Sequence, residues 1–285
     1  MDSSNRLGAY LRARRELVQP EDVGLPSGGR RRVPGLRREE LALLAGISSD
    51  YYLRLEQGRD HHPSAQVLDA LAAVLQLDAD ATAHLHRLAN PTPGRGLLGK
   101  PVPVPPSIAQ LINSWTSTPA YVQDRLMNVL TANPIASVLS PHYAQGHNLL
   151  RAAFLDPADR AFRQDWERAT ENGVAGLRAL IGADVDDPDL VELVELVGEL
   201  SAHSDRFREL WGRHDVMVRT GGIIRFNHPE VGLLELHGEK LTISGTENLM
   251  MVVFHADPGS RSAESLALLA SLVDPVRAAP RVSQD

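Results

Sequence analysis

Residues 36–58 run Leu-Arg-Arg-Glu-Glu-Leu-Ala-Leu-Leu-Ala-Gly-Ile-Ser-Ser-Asp-Tyr-Tyr-Leu-Arg-Leu-Glu-Gln-Gly, and this order of small and apolar side chains restricts the chain more than any other stretch. Ala42 stands on a first helix where a larger side chain would hold a second helix away, and Gly46 supplies the φ > 0 residue that reverses the chain. Ile47, Tyr52 and Leu55 supply the inward face beyond the turn, while Leu41, Leu44 and Ala45 recur at helical spacing before it. Glu39 and Glu40 fall in an opening turn, where carboxylates favour the positive end of the helix dipole, and Ser48 is the expected N-cap of the second helix. Two short helices crossing closely around a tight turn are a helix-turn-helix, so DNA is the first partner to consider.

The flanks complete an all-α domain. Leu7, Tyr10, Leu11 and Leu17 share one side of a helix over 7–18, with Arg12, Arg14 and Arg15 opposite. Val67, Leu68, Leu71 and Leu75 mark a helix opened by Pro63-Ser64, and residues 79–89 form another amphipathic stretch. The region resembles the xenobiotic-response-element (XRE) class of repressor-like DNA-binding domains through Leu41-Ala42, Ala45-Gly46-Ile47-Ser48 and Arg54-Leu55-Glu56-Gln57-Gly58. It departs from that class by inserting residues 19–35 between the first two helices and by placing Arg37-Arg38 where the class has Thr-Gln.

Base reading is expected from the exposed start of the second helix of the pair: Ser49, Asp50, Tyr51 and Arg54, with Ser48 beside them. Arg54 suits a bidentate contact to guanine or a phosphate contact, and Asp50 suits acceptance from cytosine or capping of its own helix. Arg31 and Arg32, within an Arg30-Arg31-Arg32 run, read as part of an exposed basic loop that meets phosphates or a minor groove, and Arg37 and Arg38 join this DNA-facing set. Glu56 would be repelled by phosphates, so an internal pair with an arginine is the preferred reading. The chain carries a formal charge of -7, yet residues 1–60 hold eleven arginines against nine carboxylates. The basic charge is local, as a DNA-reading face requires, and the acidic remainder argues against coating nucleic acid or anionic membranes non-specifically.

At 285 residues the chain suits two domains. It shows no signal peptide and no transmembrane span, so a soluble cytoplasmic protein without membrane partners is expected. With no cysteine, disulfides, thiolate metal sites and cysteine redox sensing are excluded. Residues 90–106 contain six prolines and three glycines and read as a semi-rigid linker. The expected division is therefore a DNA-binding domain at 1–90, a linker at 91–106, a second domain at 107–275 and a tail at 276–285.

Beyond the linker the periodicity is mixed. A hairpin around Asp124-Arg125 spans 120–133, and helices follow at 134–139, 148–155, 157–181, 188–200 and 205–212. Strands are expected at 216–219, 222–228, 232–244 and 249–256, with a closing helix at 263–272. No strand-helix-strand alternation repeats, so this is an α+β domain, an antiparallel sheet with helices on one face. It resembles the MmyB-like ligand-binding domain through Pro119-Ala120-Tyr121-Val122, Asn133-Pro134, Asn148-Leu149-Leu150-Arg151, Phe154-Leu155-Asp156-Pro157, Asp165-Trp166-Glu167, Leu210-Trp211, His214-Asp215-Val216, His228-Pro229-Glu230-Val231-Gly232 and Ala256-Asp257-Pro258-Gly259-Ser260. That resemblance implies a PAS-like sensory domain with an apolar pocket for a fatty-acyl-like ligand. No cofactor is expected.

Apolar side chains for such a pocket are present: Phe226, Leu234, Met250, Val252 and Phe254 on strands, and Trp166, Phe207 and Trp211 on helices. The same residues would serve equally as filled core. A rival reading takes His214-Asp215, His228-x-Glu230, His237-x-Glu239 and His255-x-Asp257 as parts of a metal-dependent or acid/base enzyme. Strand alternation places His228 and His237 on opposite faces, which argues against convergence, and neither a metal site nor catalysis is expected. A third reading keeps the DNA-binding domain and makes the second domain only a protein-interaction or dimerisation module. The preferred reading is a DNA-binding regulator, acting as a homodimer on double-stranded operator DNA and tuned by an apolar small molecule.

Overall fold

The computed structural model describes residues 5–26, 33, 35–60, 62–90, 103–180, 190–217, 221–246 and 249–273. The described chain forms two compact units, Met1–Gly99 with Val174–Gly198 and Asp205–Val218, and Lys100–Gly173 with Glu199–Ser204 and Arg219–Asp285. The expected chain-order boundary is thus crossed: helical segments assigned to the second domain pack with the first unit. Linker residues 91–102 lie outside the described residues, as do the tail at 276–285 and Arg30, Arg31 and Arg32 of the insertion.

The first unit is all-α. Helices α1 (Arg6–Leu17), α2 (Arg38–Leu44), α3 (Ser49–Glu56), α4 (Ala65–Val74) and α5 (Ala79–Ala89) follow one another, and a 3-10 turn at Pro20–Val23 begins the insertion. Tyr10, Leu11, Leu41, Tyr52, Leu55, Leu68, Leu71 and Leu85 fill one core, which Ala179 and Val216 join. The turn between α2 and α3 is a Schellman motif: Gly46 N–H donates to Leu43 O at 3.2 Å, and Ile47 N–H to Ala42 O at 3.0 Å. Gly46 has φ 68°, a left-handed conformation that glycine adopts without strain. Ser48 caps α3, its side chain accepting from Tyr51 N–H at 3.2 Å.

Two apolar positions are corrected. Leu17 and Leu44 are 47% and 39% exposed, whereas Val18 and Ala45 are buried. At the end of α1 the chain leaves the helix at Val18, which turns inward, whereas Ala45 keeps the helical phase of Leu41 and Ala42 and Leu44 falls at the edge of that face. Arg15, expected on the solvent side of α1, is 3% exposed because it meets Glu56 inside the unit.

The second unit is α+β. Strands β1 (Ala120–Gln123), β2 (Val129–Ala132), β3 (Gly221–His228), β4 (Gly232–Thr242) and β5 (Met250–His255) form one antiparallel sheet in the order β2-β1-β5-β4-β3. Helices α6 (Pro106–Asn113), α7 (Pro134–Leu139), α8 (Leu149–Leu155), α9 (Pro157–Phe162) and α13 (Arg261–Ser271) lie in this unit, α12 (Asp205–Arg213) lies in the first, and α10 (Trp166–Leu180) and α11 (Leu190–His203) contribute residues to both. One sheet face, with Phe226, Leu234, Leu236, Val252 and Phe254, packs with Leu266 and Leu269 of α13. The other, with Ala120, Val122 and Met251, packs on Ile112 of α6.

Polar side chains tie these elements together. Asn133, fully buried, accepts from Ala120 N–H at 3.0 Å and Ala136 N–H at 3.1 Å, and donates to Ile112 O at 3.0 Å and Thr118 O at 2.8 Å. Asp124 closes the expected hairpin by accepting from Leu126 N–H and Asn128 N–H, both at 2.9 Å.

The single helix expected over 157–181 is two helices. Between them Arg163 is extended and bridges Phe226, while Gln164 N–H donates to Arg225 O at 3.0 Å. Pairing with β3 therefore wins over helical continuity. The strand expected at 216–219 does not form in its described part, because Val216 is buried in the core of the first unit. Helix α6, which the proline run concealed, starts with Pro106 at its first position.

Candidate nucleic-acid interface and ligand cavity

At the helix-turn-helix, Glu56 explains which arginines are positioned and which are presented. Its carboxylate accepts from Arg15 Nε at 2.6 Å and from Arg38 Nε at 2.5 Å, and Arg15 also donates to Leu36 O at 2.7 Å. Burial works against the Glu56 charge, but the bonds from Arg15 and Arg38 outweigh it and hold its pKa below the usual carboxylate value. The expected internal pair is present. Arg38, nominated for DNA, spends its Nε on this pair while its side chain stays 46% exposed. Arg37 is exposed, and its backbone N–H donates to Glu40 at 2.7 Å.

Ser49, Asp50 and Arg54 are exposed on α3, and Arg59 is exposed just beyond it. Ser48 carries the cap bond, leaving Asp50 in the first turn without that task. Tyr51 is half-buried, packs against the core and lies under Arg54, whose guanidinium carbon is 5.6 Å from the ring centroid. A tyrosine so placed stiffens the arginine rather than reaching outward alone. Arg31 and Arg32 lie outside the described residues.

The second unit holds a cavity of about 180 Å³ between the sheet and the helices α8 and α10. Its walls include Tyr121, Val252, Phe254, Ile224, Leu149 and Leu150, with Gly173, Gly221, Gly222 and Gly238 leaving room. A Cβ on Gly238 would stand 2.7 Å from Ile224 Cδ1 and 3.3 Å from the Phe254 ring, so a larger residue there would push both side chains of this wall. Arg163, Arg168, Lys240, Asp165 and Gln123 supply polar atoms. Arg163 donates to Asp159 at 2.7 Å and to the Tyr143 hydroxyl at 3.2 Å. Burial opposes its charge, yet Tyr143 and Asp159 keep its pKa above the ordinary arginine value.

Of the side chains nominated for the pocket, Val252 and Phe254 line this cavity. Phe226 and Leu234 are fully buried in packed core, Phe226 stacking on Phe162 with centroids 4.7 Å apart. Trp166 turns away, donating its indole N–H to Ala153 O at 2.8 Å beneath Arg160. Phe207 and Trp211 stack on each other in α12, which belongs to the first unit, and Met250 lies off the cavity at the start of β5. Aromatic residues drew the sequence reading; glycines, invisible as pocket formers without the sheet register, make the space.

A family model for the MmyB-like transcription regulator ligand binding domain matches residues 104–269, and a helix-turn-helix domain model matches residues 6–85. The chain belongs to the MmyB-like transcription regulators. No curated protein matches it. Both matched families are regulator domains, so the MmyB-like regulator is a DNA-binding transcription regulator carrying a ligand-binding domain. No described helix is long and apolar enough to cross a membrane.

Proposed function

We propose that this MmyB-like regulator binds an operator as a homodimer through α3 and the basic residues around it, and that an apolar, fatty-acyl-like molecule in the sheet cavity sets its DNA affinity. The carrying observation is the largely apolar cavity in the same chain as the helix-turn-helix. The base-reading set is Ser49, Asp50, Tyr51 and Arg54, with Ser48 beside them and with Arg31, Arg32, Arg37 and Arg38 at phosphates.

One eight-residue helix reaches few base pairs, so two half-sites about one helical turn apart supply the contacts a specific site needs. At about 180 Å³ the cavity is close to the ~150 Å³ that holds a benzene-sized guest and below the ~300 Å³ at which drug-sized pockets begin. A short acyl chain fits as the walls stand, and a long one requires side chains to move. A carboxylate head would meet Arg168 and Lys240. Helix α10 offers the covalent route for a signal, since its Ala169, Thr170, Asn172 and Gly173 line the cavity and Ala179 joins the core of the first unit. Ligand binding changes DNA affinity only by favouring one arrangement of the protein over another.

Sedimentation of the full chain with an operator duplex, and thermal melting with saturated fatty acids of graded length, test this reading. The expected results are two chains per operator and a rise in melting temperature that depends on chain length. One chain per operator removes the homodimer, and a melting temperature indifferent to every acid leaves the second domain as an interaction module.

A further inference from the structure

His237 and His255 face each other across β4 and β5 as a directly opposed pair. Their rings are stacked, with centroids 4.9 Å apart and planes 13° from parallel. Two residues along β4, Glu239 projects to the same face, and ligand atoms of His237, Glu239 and His255 all lie within 4.8 Å of one another. Asp257 brings a second carboxylate, its Oδ1 3.1 Å from His237 Nε2. Among the described residues this is the one group of three with metal-ligand chemistry at such spacing. It lies on the sheet face opposite the cavity-lining Val252 and Phe254, and independently of the DNA-binding reading.

The geometry points to a divalent transition-metal site formed by His237, Glu239 and His255, with zinc as the ion best suited to it. Two imidazoles and one carboxylate are borderline ligands that favour first-row ions over magnesium or calcium. Ligands at ~2.1 Å around a tetrahedral ion stand roughly 3.4 Å apart, so the three side chains close by rotamer adjustment alone. Glu239 has the space to do so because residue 221 is glycine: a Cβ there would stand 2.3 Å from Glu239 Oε2. Asp257 supplies the outer-sphere acceptor that a metal-bound imidazole uses for its second ring nitrogen. With three protein ligands the ion keeps an open position, and His237 and His255 are accessible enough for it to exchange with solvent.

Strand alternation separates His228 from His237, as the sequence predicts: His228 is buried on the other face and lies 3.2 Å from Val138 O. The convergence comes from His255 instead, through a cross-strand register that spacing along the chain does not reveal.

The test is calorimetric titration of the chelator-stripped full chain with zinc chloride and, separately, magnesium chloride, with thermal melting as a second readout. One zinc per chain, no magnesium, and a zinc-dependent rise in melting temperature are expected. His255→Ala and Glu239→Gln should each weaken zinc by about tenfold or more while their metal-free melting temperatures stay near wild type. The double variant H142A/H147A removes another neighbouring imidazole pair, with centroids 5.9 Å apart, and should bind zinc as wild type does. No stoichiometric zinc, or zinc lost in H142A/H147A and retained in His255→Ala, overturns the site.

Discussion

Arg54 and Glu56 lie two residues apart on α3 and serve opposite ends: one is exposed and available to DNA, the other buried and committed to holding helices together. Arg54→Ala should weaken operator binding by about 1–3 kcal/mol and relax base preference, with the melting temperature unchanged. Fluorescence anisotropy with operator and scrambled duplexes measures both, and unaltered operator affinity would take Arg54 out of the reading set. Glu56→Ala strands Arg15, which is 3% exposed, and should cost about 3–5 kcal/mol in urea unfolding. Glu56 was legible as structural because a carboxylate is repelled by phosphate; the burial of Arg15 was not, since Arg12, Arg14 and Arg15 look alike without the position of α3.

Between elements, glycines decide how closely backbones approach, and they do so by two mechanisms with separable costs. Nothing lies within 4 Å of a Cβ built on Gly46, so Gly46→Ala carries only the left-handed backbone strain, roughly 1–2 kcal/mol. At Gly8 a Cβ would stand 2.2 Å from Glu56 O, where α1 meets the end of α3, and Gly8→Ala should cost more, at the upper end of the ~1–3 kcal/mol typical of overpacking or beyond it. Urea unfolding of the two variants checks the order, and equal costs would show that α1 shifts freely. Gly46 was readable from its place between two apolar runs. Gly8 was not, because its constraint comes from a residue 48 positions away. The same difference separates the hairpin at Asp124, whose turn chemistry is local, from the break before α10, which is imposed by β3. Local signals located most elements and the helix-turn-helix; register and long-range pairing set the cavity, the α10 break and the His237–His255 pair.

For the whole molecule, the first unit carries a pH dependence of defined sign. Burial, reinforced by Arg87 at His84 and by Arg178 at His214, holds both imidazoles down to about 3. Unfolded, they take up protons near ~6.5, so the unfolded state binds more protons between about 6.5 and 3 and stability falls as pH drops through that window. Melting temperature should therefore decline from pH 7.5 to pH 5. His84→Phe keeps a ring against Tyr10, removes a buried Nδ1 without a hydrogen-bond partner and should flatten that decline; an identical slope would place the proton uptake elsewhere. The central claim is that one chain reads DNA with α3 and is tuned through the sheet cavity. Operator affinity measured by anisotropy with and without decanoic acid, in wild type and in Ala169→Phe, which fills the cavity from α10, tests it most directly. The account predicts a several-fold, acid-dependent change in wild type that disappears in Ala169→Phe. The same acid-dependent change in both proteins, or none in wild type, would contradict it.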